Sequence, residues 1–530
     1  MSRLLHGYAA ASAARKPDTT AVVLGNERLS YSQLVAESRR LAHLLSAAGV
    51  GSGDRVALMV PKSPAAIAGM LAVLETGAAY VPVDLASPPP RAALVIRSSE
   101  PRAVLGAAPA AALIDALVED GTLAGTPIVS VDHGWSGGQR AGADYGPEDW
   151  TRLSDDPLHA GESGDSLAHI LFTSGSTGVP KGVQITHGMA TAFVDWAVEH
   201  FGTSSDERIS SHPPLHFDLS TFDIYGSLKA GAELHLVPMT ANLAPGALAD
   251  FIRASELTQW FSVPSTLAFM VRSGVIEQGD LPTLRRVLFC GEAMPTPVLA
   301  AWMRQVPHAR YTNLYGPTET TIASSYYDVP AAPQDESKPV PIGVPCSGEE
   351  LLVLDEELRE LPDGEIGQIF IAGVGVSPGY WRDEDKSRAS FVPDPRGGGR
   401  IYATGDLGWI GENGLLHYVG RSDSQIKHRG YRIELGEIER ALDAIAELRE
   451  SAVVAVATEG FEGTAICCAY VAKESGVTPV HLRSALGRSL PAYMLPTRWR
   501  AVDALPKNPN GKIDRRALRE GFEAEPARAG

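Results

Sequence analysis

A chain of 530 residues is too long for one compact core, and 44% hydrophobic with 21% charged residues excludes wholesale disorder. A net charge of -17 repels a phosphate backbone, which argues against nucleic acid as a partner and requires any anionic ligand to be held by local groups. No apolar run approaches the ~20 residues of a membrane span, so no membrane association is expected.

Residues 31–49 place Leu34, Leu41, Leu44 and Leu45 at helical spacing. Residues 55–60 read as a buried strand, 65–76 as a helix and 79–84 as a second strand. This alternation predicts an α/β fold with a largely parallel sheet. Residues 134–166, rich in Gly, Ser, Asp and Pro, read as an exposed loop. Strand–helix alternation resumes over 168–301, and short strands between Gly and Pro over 350–410 predict an antiparallel β-subdomain. Beyond Arg421 the pattern is α+β: a helix over 434–448, strands over 451–457 and 464–471, a helix over 479–490, then a frayed tail over 521–530. The cysteines Cys290, Cys346, Cys467 and Cys468 match no zinc spacing; Cys467 and Cys468, in a short apolar run, read as buried thiols, and a cytoplasmic protein is expected.

The segment Thr173 to Gly182, TSGSTGVPKG, follows the strand-like AHILF. Gly175 and Gly178 let backbone N–H groups approach phosphate oxygens; Ser174, Ser176 and Thr177 add donors, and Lys181 adds charge. It is not a Walker A loop, because Pro180 stands where the second glycine of that pattern belongs. Nine further motifs accompany it. LSYSQL begins at Leu29, LETGAAYVPVD at Leu74, HFDLS at His216, NLYGPTE at Asn313 and GEIGQIFIAGVGVSPGYW at Gly364. YATGDL begins at Tyr402, GRSDSQIKHRGYRIELGEIE at Gly420, LPAYMLP at Leu490 and NGKIDR at Asn510.

In content and order these motifs resemble the adenylate-forming enzymes, specifically the amino-acid adenylation domains of nonribosomal peptide synthetases. The resemblance implies an N-terminal core over 1–420, made of two α/β subdomains and a β-subdomain. It further implies a hinge at 421–424 and a small mobile α+β domain over 425–520. The implied reaction joins a carboxylate to the α-phosphate of ATP, with Mg²⁺, and then hands the acyl group to a thiol. Lys512 matches the lysine that bridges carboxylate and α-phosphate, Glu319 the carboxylate that helps hold Mg²⁺, and Thr173 and Lys181 belong to the catalytic set. For the nucleotide, the resemblance assigns Tyr315 to adenine stacking, Asn313 to the base edge and Gly291, Glu292 and Ala293 to the strip on the other side of the purine. Gly316 and Thr318 complete that motif, while Asp406 and Arg421 take the ribose. Asp423 matches the hinge position and Gly430 the pantetheine channel.

Asp218 matches the aspartate that binds the α-ammonium of amino-acid substrates, a buried carboxylate with an apt partner. Around the side chain the same register places Phe217, Leu219, Phe222, Ser262, Leu288, Cys290, Leu314, Ile322 and Ala323. Apart from Asp218 and Lys512 that set carries no charge, so a charged side chain would be unpaired there. Phe222 and the large aliphatics point to a small neutral L-amino acid: alanine, or glycine, serine or cysteine. Proline is the alternative, followed by an acyl- or aryl-CoA ligase activity. With no carrier segment in the chain, the expected partner is a separate phosphopantetheine carrier protein, met by a monomer that presents Arg483, Arg488 and Arg498.

Overall fold

The computed structural model describes residues 4–132, 135, 143–158, 161–175, 178–458, 464–474, 476–508 and 512–524. Two contact units divide them. The first comprises Met1–Leu85, Val95–Phe172 and Gly182–Ser422; the second comprises Ala86–Leu94, Thr173–Lys181 and Asp423–Gly530.

Three sheets build the first unit. The largest has nine strands, and its central run is parallel: Arg310–Tyr315, Arg286–Cys290, Gln259–Ser262, Arg208–Ser211, Glu233–Leu236 and Thr20–Leu24 are neighbours in that order. A six-stranded sheet centres on Arg55–Met59, flanked in parallel by Ala79–Pro82 and Ala103–Gly106. Strands such as Arg286–Cys290 and Gln259–Ser262 are buried at every residue, as parallel strands covered on both faces must be. The third sheet is antiparallel, from Glu349–Leu354 through Gly367–Gly373 to Arg400–Ile410, which also pairs with Leu416–Arg421.

Local chemistry starts the helices where the pattern predicts them. Ser30 accepts from the Gln33 backbone while the Gln33 side chain accepts from Ser30, a capping box that opens Tyr31–Ala47. Ser63 caps Pro64–Glu75, whose proline sits in the first turn, where no N–H is needed. The expected exposed loop over 134–166 is only partly that. A short helix, Pro147–Trp150, buries Trp150, whose Nε1 donates to the Ser130 carbonyl (3.2 Å).

In the second unit Leu448–Ala457 and Thr464–Ala472 pair antiparallel, and Arg498–Ala501 joins in parallel. Helices Leu435–Asp443 and Pro479–Leu486 both end earlier than the sequence pattern suggests, because Leu448 and Leu490 are buried beyond them. They cover one face of the sheet with Cys468, and Arg515–Glu523 covers the other with Cys467. Adjacent residues of a strand point to opposite faces, so these two thiols cannot meet, and all four cysteines are free and buried. Of the tail expected to fray over 521–530, Gly521, Phe522 and Glu523 continue the helix Arg515–Glu523, and 525–530 lie outside the described residues. Phe522 is 1% exposed, Arg500 lies over its ring (4.4 Å), and Arg498 donates to its carbonyl (2.7 Å). Arg498 is thereby engaged within the domain, while Arg483 and Arg488 are exposed. Among the described residues no helix is long and apolar enough to cross a membrane.

His169 is fully buried against Tyr80, with ring centroids 5.0 Å apart, and burial pushes its pKa down to about 3. The unfolded chain therefore takes up a proton near pH 6.5 that the folded chain refuses, so this group costs stability as pH falls. Urea unfolding of the protein and of His169→Phe at pH 7 and pH 5 should show the variant gaining about 2 kcal/mol relative to the parent at pH 5. An unchanged difference would mean that His169 is protonated in the fold.

Candidate active site

Strand Arg310–Tyr315 delivers the NLYGPTE segment to the carboxyl edge of the nine-stranded sheet, where α/β proteins place their ligands. Gly316 has no substitute there, since a Cβ would come within 2.6 Å of Ala323 Cα. Tyr315 is buried, and its hydroxyl donates to Asp406 Oδ2 (2.7 Å) while Arg421 Nη1 reaches Asp406 Oδ1 (2.7 Å). Burial and then the Asp406 charge hold the Tyr315 phenol far above its ordinary value. Asn313 is turned to the Pro341 carbonyl (2.8 Å), so its amide supports the strand rather than lying open at its end. Glu292 is likewise occupied, accepting from the Ser265 backbone (2.9 Å), which leaves the backbone of Gly291, Glu292 and the exposed Ala293 as the available strip.

Glu319 is completely buried, and Tyr380 donates to its Oε1 (2.7 Å). Tyr380 lies in SPGYW, a motif noted in the sequence without a role for the tyrosine. Thr318 Oγ1 donates to Asp218 Oδ2 (2.7 Å). Asp218 occupies the N-cap position of helix Leu219–Ala230 but makes no side-chain cap bond there, so its carboxylate is directed at the NLYGPTE segment. Beyond the cap, Leu219, Phe222, Leu288, Cys290, Leu314, Ile322 and Ala323 join one apolar cluster, none more than 4% exposed. Phe193, Ala197, Phe201 and Phe261 complete it, with Phe193 and Phe261 packing edge-on against Phe222 at 5.8 and 6.1 Å. Phe217 stands beside this cluster, in edge contact with His216 (5.2 Å). Thr321 and Ile322, both β-branched, hold positive φ (64° and 72°), a strained wall of the kind found at binding sites.

Ser262 does not belong to that set. Side chains alternate along a strand, and Trp260 Nε1 donates to Ser262 Oγ (2.9 Å) on the opposite face, among the core residues Val287 and Phe289. Phe261 and Val263 take the pocket side instead. Asp223, the other carboxylate of HFDLSTFDI, is fully buried, and burial raises its pKa well above the ordinary value against the pull of Lys62 and the His212 backbone. Lys62, a residue the motifs do not flag, donates to the carbonyls of Ser211 and His212 (2.8 Å to the latter), and burial lowers it to about 7. These groups brace the segment that leads to Asp218 and are closed to a ligand.

In the second unit the phosphate-loop residue Ser174 donates to the Arg432 carbonyl, and Thr173 Oγ1 is buried with no hydrogen-bond partner among the described residues. Gly175 is again obligatory, since a Cβ would lie 2.1 Å from the Val179 carbonyl oxygen. Gly178 N–H closes the turn onto the Gly175 carbonyl (2.8 Å), and Lys181 opens strand Lys181–Thr186. Ser176 and Thr177 lie outside the described residues. Lys512 is exposed, and its carbonyl accepts from the Asn508 N–H (2.7 Å). Asp423 accepts from the Gln425 backbone (3.0 Å), and Gly430 sits at the tip of the hairpin Gln425–His428 and Tyr431–Glu434.

Residues 9–381 match the AMP-binding enzyme family, and residues 437–512 match the AMP-binding enzyme C-terminal domain. The chain belongs to the AMP-binding enzyme family. An L-proline–[L-prolyl-carrier protein] ligase of Pseudomonas fluorescens is 38% identical over 98% of this chain and 100% of its own length. Its counterpart in Streptomyces coelicolor is 36% identical over 95% of this chain and 93% of its own. Among solved structures, the amide bond synthetase McbA from Marinactinospora thermotolerans superposes with a TM-score of 0.85 at 26% identity, covering 98% of this chain and 100% of that one. This AMP-binding enzyme is thus an adenylating ligase on the adenylate-forming fold, and carrier-protein ligases are among its relatives.

The alternation along Gln259–Ser262 makes a distinguishing prediction. Ser262→Ala should leave amino-acid preference within about twofold, whereas Phe261→Leu, which removes a ring from the pocket side, should raise exchange with bulkier amino acids. A preference altered by Ser262→Ala alone would place that side chain at the substrate.

Proposed function

We propose that the enzyme joins L-proline to AMP and passes the prolyl group to the phosphopantetheine thiol of a carrier protein. The observation that carries this reading is the end-to-end likeness, at 38% and 36% identity, to two L-proline–[L-prolyl-carrier protein] ligases. It displaces alanine, the first expectation from the sequence. The apolar chemistry of the pocket agrees with the change. Leu288, Cys290, Leu314, Ile322 and the Phe222 ring offer walls to a compact hydrocarbon ring, and the pyrrolidine buries two more methylenes than alanine, roughly 0.8 kcal/mol each.

In the first half-reaction a carboxylate oxygen of proline bonds to the α-phosphorus, the bond from that phosphorus to the bridging oxygen breaks, and pyrophosphate leaves. Asp218, with Thr318 as its hydrogen-bonding neighbour, pairs with the secondary ammonium and orients the substrate. Lys512 offsets the charge that accumulates as two anions meet. Thr173 Oγ1, which has no hydrogen-bond partner among the described residues, is a donor ready for a phosphate oxygen. The Asp406 carboxylate, steadied by Tyr315 and Arg421, keeps lone pairs for the ribose hydroxyls. The donor set fits Mg²⁺ arriving with ATP. Glu319 supplies one hard carboxylate, and the described residues contain no group of three His, Cys, Asp or Glu able to cage a metal alone. When bound, Mg²⁺ neutralises charge on the phosphates. In the second half-reaction the thiol loses its proton to solvent, its sulfur bonds to the acyl carbon, the acyl–phosphate C–O bond breaks, and AMP leaves.

Pyrophosphate exchange across the twenty amino acids, with benzoate and short fatty acids included, tests this reading. A maximum at L-proline is expected, and a maximum at alanine would return the pocket to a smaller side chain. Asp218→Ala should raise the proline KM about 100-fold, the effect of leaving a charged group unpaired. Lys512→Ala should lower adenylate formation about 100-fold or more while ATP still binds. Full activity in either variant would remove that residue from the mechanism.

A further inference from the structure

A second cavity, of about 560 Å³, opens at the opposite end of the strands that carry the site, within the ~300–1,000 Å³ range of small-molecule pockets. It forms where Arg286–Cys290 and Arg310–Tyr315 begin and Ser325–Asp328 ends, with Arg286 opposite Arg310 and Thr312 opposite Asp328 in the registers. At ~3.3 Å per residue, Arg310 and Tyr315 stand about 17 Å apart along their strand, so this cavity is separate from the candidate active site.

Its walls divide by chemistry. Phe201, Met303, Pro307, Val329 and Pro330 supply apolar surface. Most of the charged groups around it already have partners. Arg286 is 7% exposed; it donates to Gln259 Oε1 (3.0 Å) and the Phe201 carbonyl (2.8 Å) and faces Glu207 (2.9 Å). Arg285 shares that same glutamate (3.4 Å). His200 Nε2 meets Asp328 Oδ2 (3.0 Å), and Asp328 Oδ1 also accepts from Thr312. Arg310 is different: among the described residues no hydrogen bond or ion pair engages its guanidinium. One glutamate thus answers two arginines, and a third stands unengaged beside an apolar wall. In a chain with a net charge of -17, such a local surplus of positive charge selects an anion.

We propose that this cavity is a binding site for a small organic monoanion, its carboxylate on Arg310 and its hydrocarbon body against Phe201, Met303 and Pro330. Guanidinium and carboxylate match as a bidentate pair, and the single unengaged arginine suits a single negative charge. Calorimetric titration of the full chain with hexanoate should give saturable binding at one site, with a Kd of about 1 mM for a ligand of this size. Arg310→Ala should weaken it at least tenfold and leave pyrophosphate exchange unchanged. Asp218→Ala should bind hexanoate as the parent does, and inorganic phosphate, which has no apolar body, should bind at least tenfold more weakly. No saturable binding, equal affinity in Arg310→Ala, loss of binding in Asp218→Ala, or phosphate bound as well as hexanoate would each overturn the proposal.

Discussion

Parallel pairing of Gln259–Ser262, Arg286–Cys290 and Arg310–Tyr315 is the constraint on which the rest of the first unit depends. Once these strands share a register, their side chains must alternate between two faces. One face sends Trp260, Val287, Phe289 and Tyr311 into a core; the other sends Phe261, Leu288, Cys290 and Leu314 into the apolar cluster beside Asp218. The same register brings Tyr315 to the edge where it meets Asp406 from a different sheet. The apolar cluster and the Tyr315–Asp406 contact thus rest on one set of backbone hydrogen bonds.

A strongly acidic chain that handles ATP has to manage its own carboxylates, and the buried ones are managed individually. Asp406 has a phenol on one oxygen and a guanidinium on the other. Glu319 has the Tyr380 hydroxyl. Asp223 is fully buried, and burial raises its pKa well above the ordinary carboxylate value. Asp218 is the least enclosed of the four, and one of its oxygens accepts from the Thr318 hydroxyl.

The sequence made the α/β architecture legible because buried parallel strands and capped helices leave strong local patterns, as at Ser30 and Ser63. It made the motifs legible because close backbone approaches, such as those at Gly175 and Gly316, admit no side chain. Ser262 was misplaced because a shift of one residue moves a strand's side chains to the other face, and nothing local in QWFSV marks the face. The tail carried a readable signal that its charge obscured: Leu518 and Phe522 stand four apart, one face of a helix turn, amid Arg and Glu. The choice between proline and alanine was not legible, because the pocket's volume is set by side chains from separate segments rather than by any one of them.

The positive φ angles at Thr321 and Ile322 carry a consequence for how such a pocket can diverge. A glycine at either position would relieve the strained φ, but Ile322 is 1% exposed in the apolar cluster and Thr321 Oγ1 donates to the Gly375 carbonyl (2.8 Å). Loss of either buried contact offsets the relief of strain, so the packing that holds these two angles in place also fixes the shape of the wall.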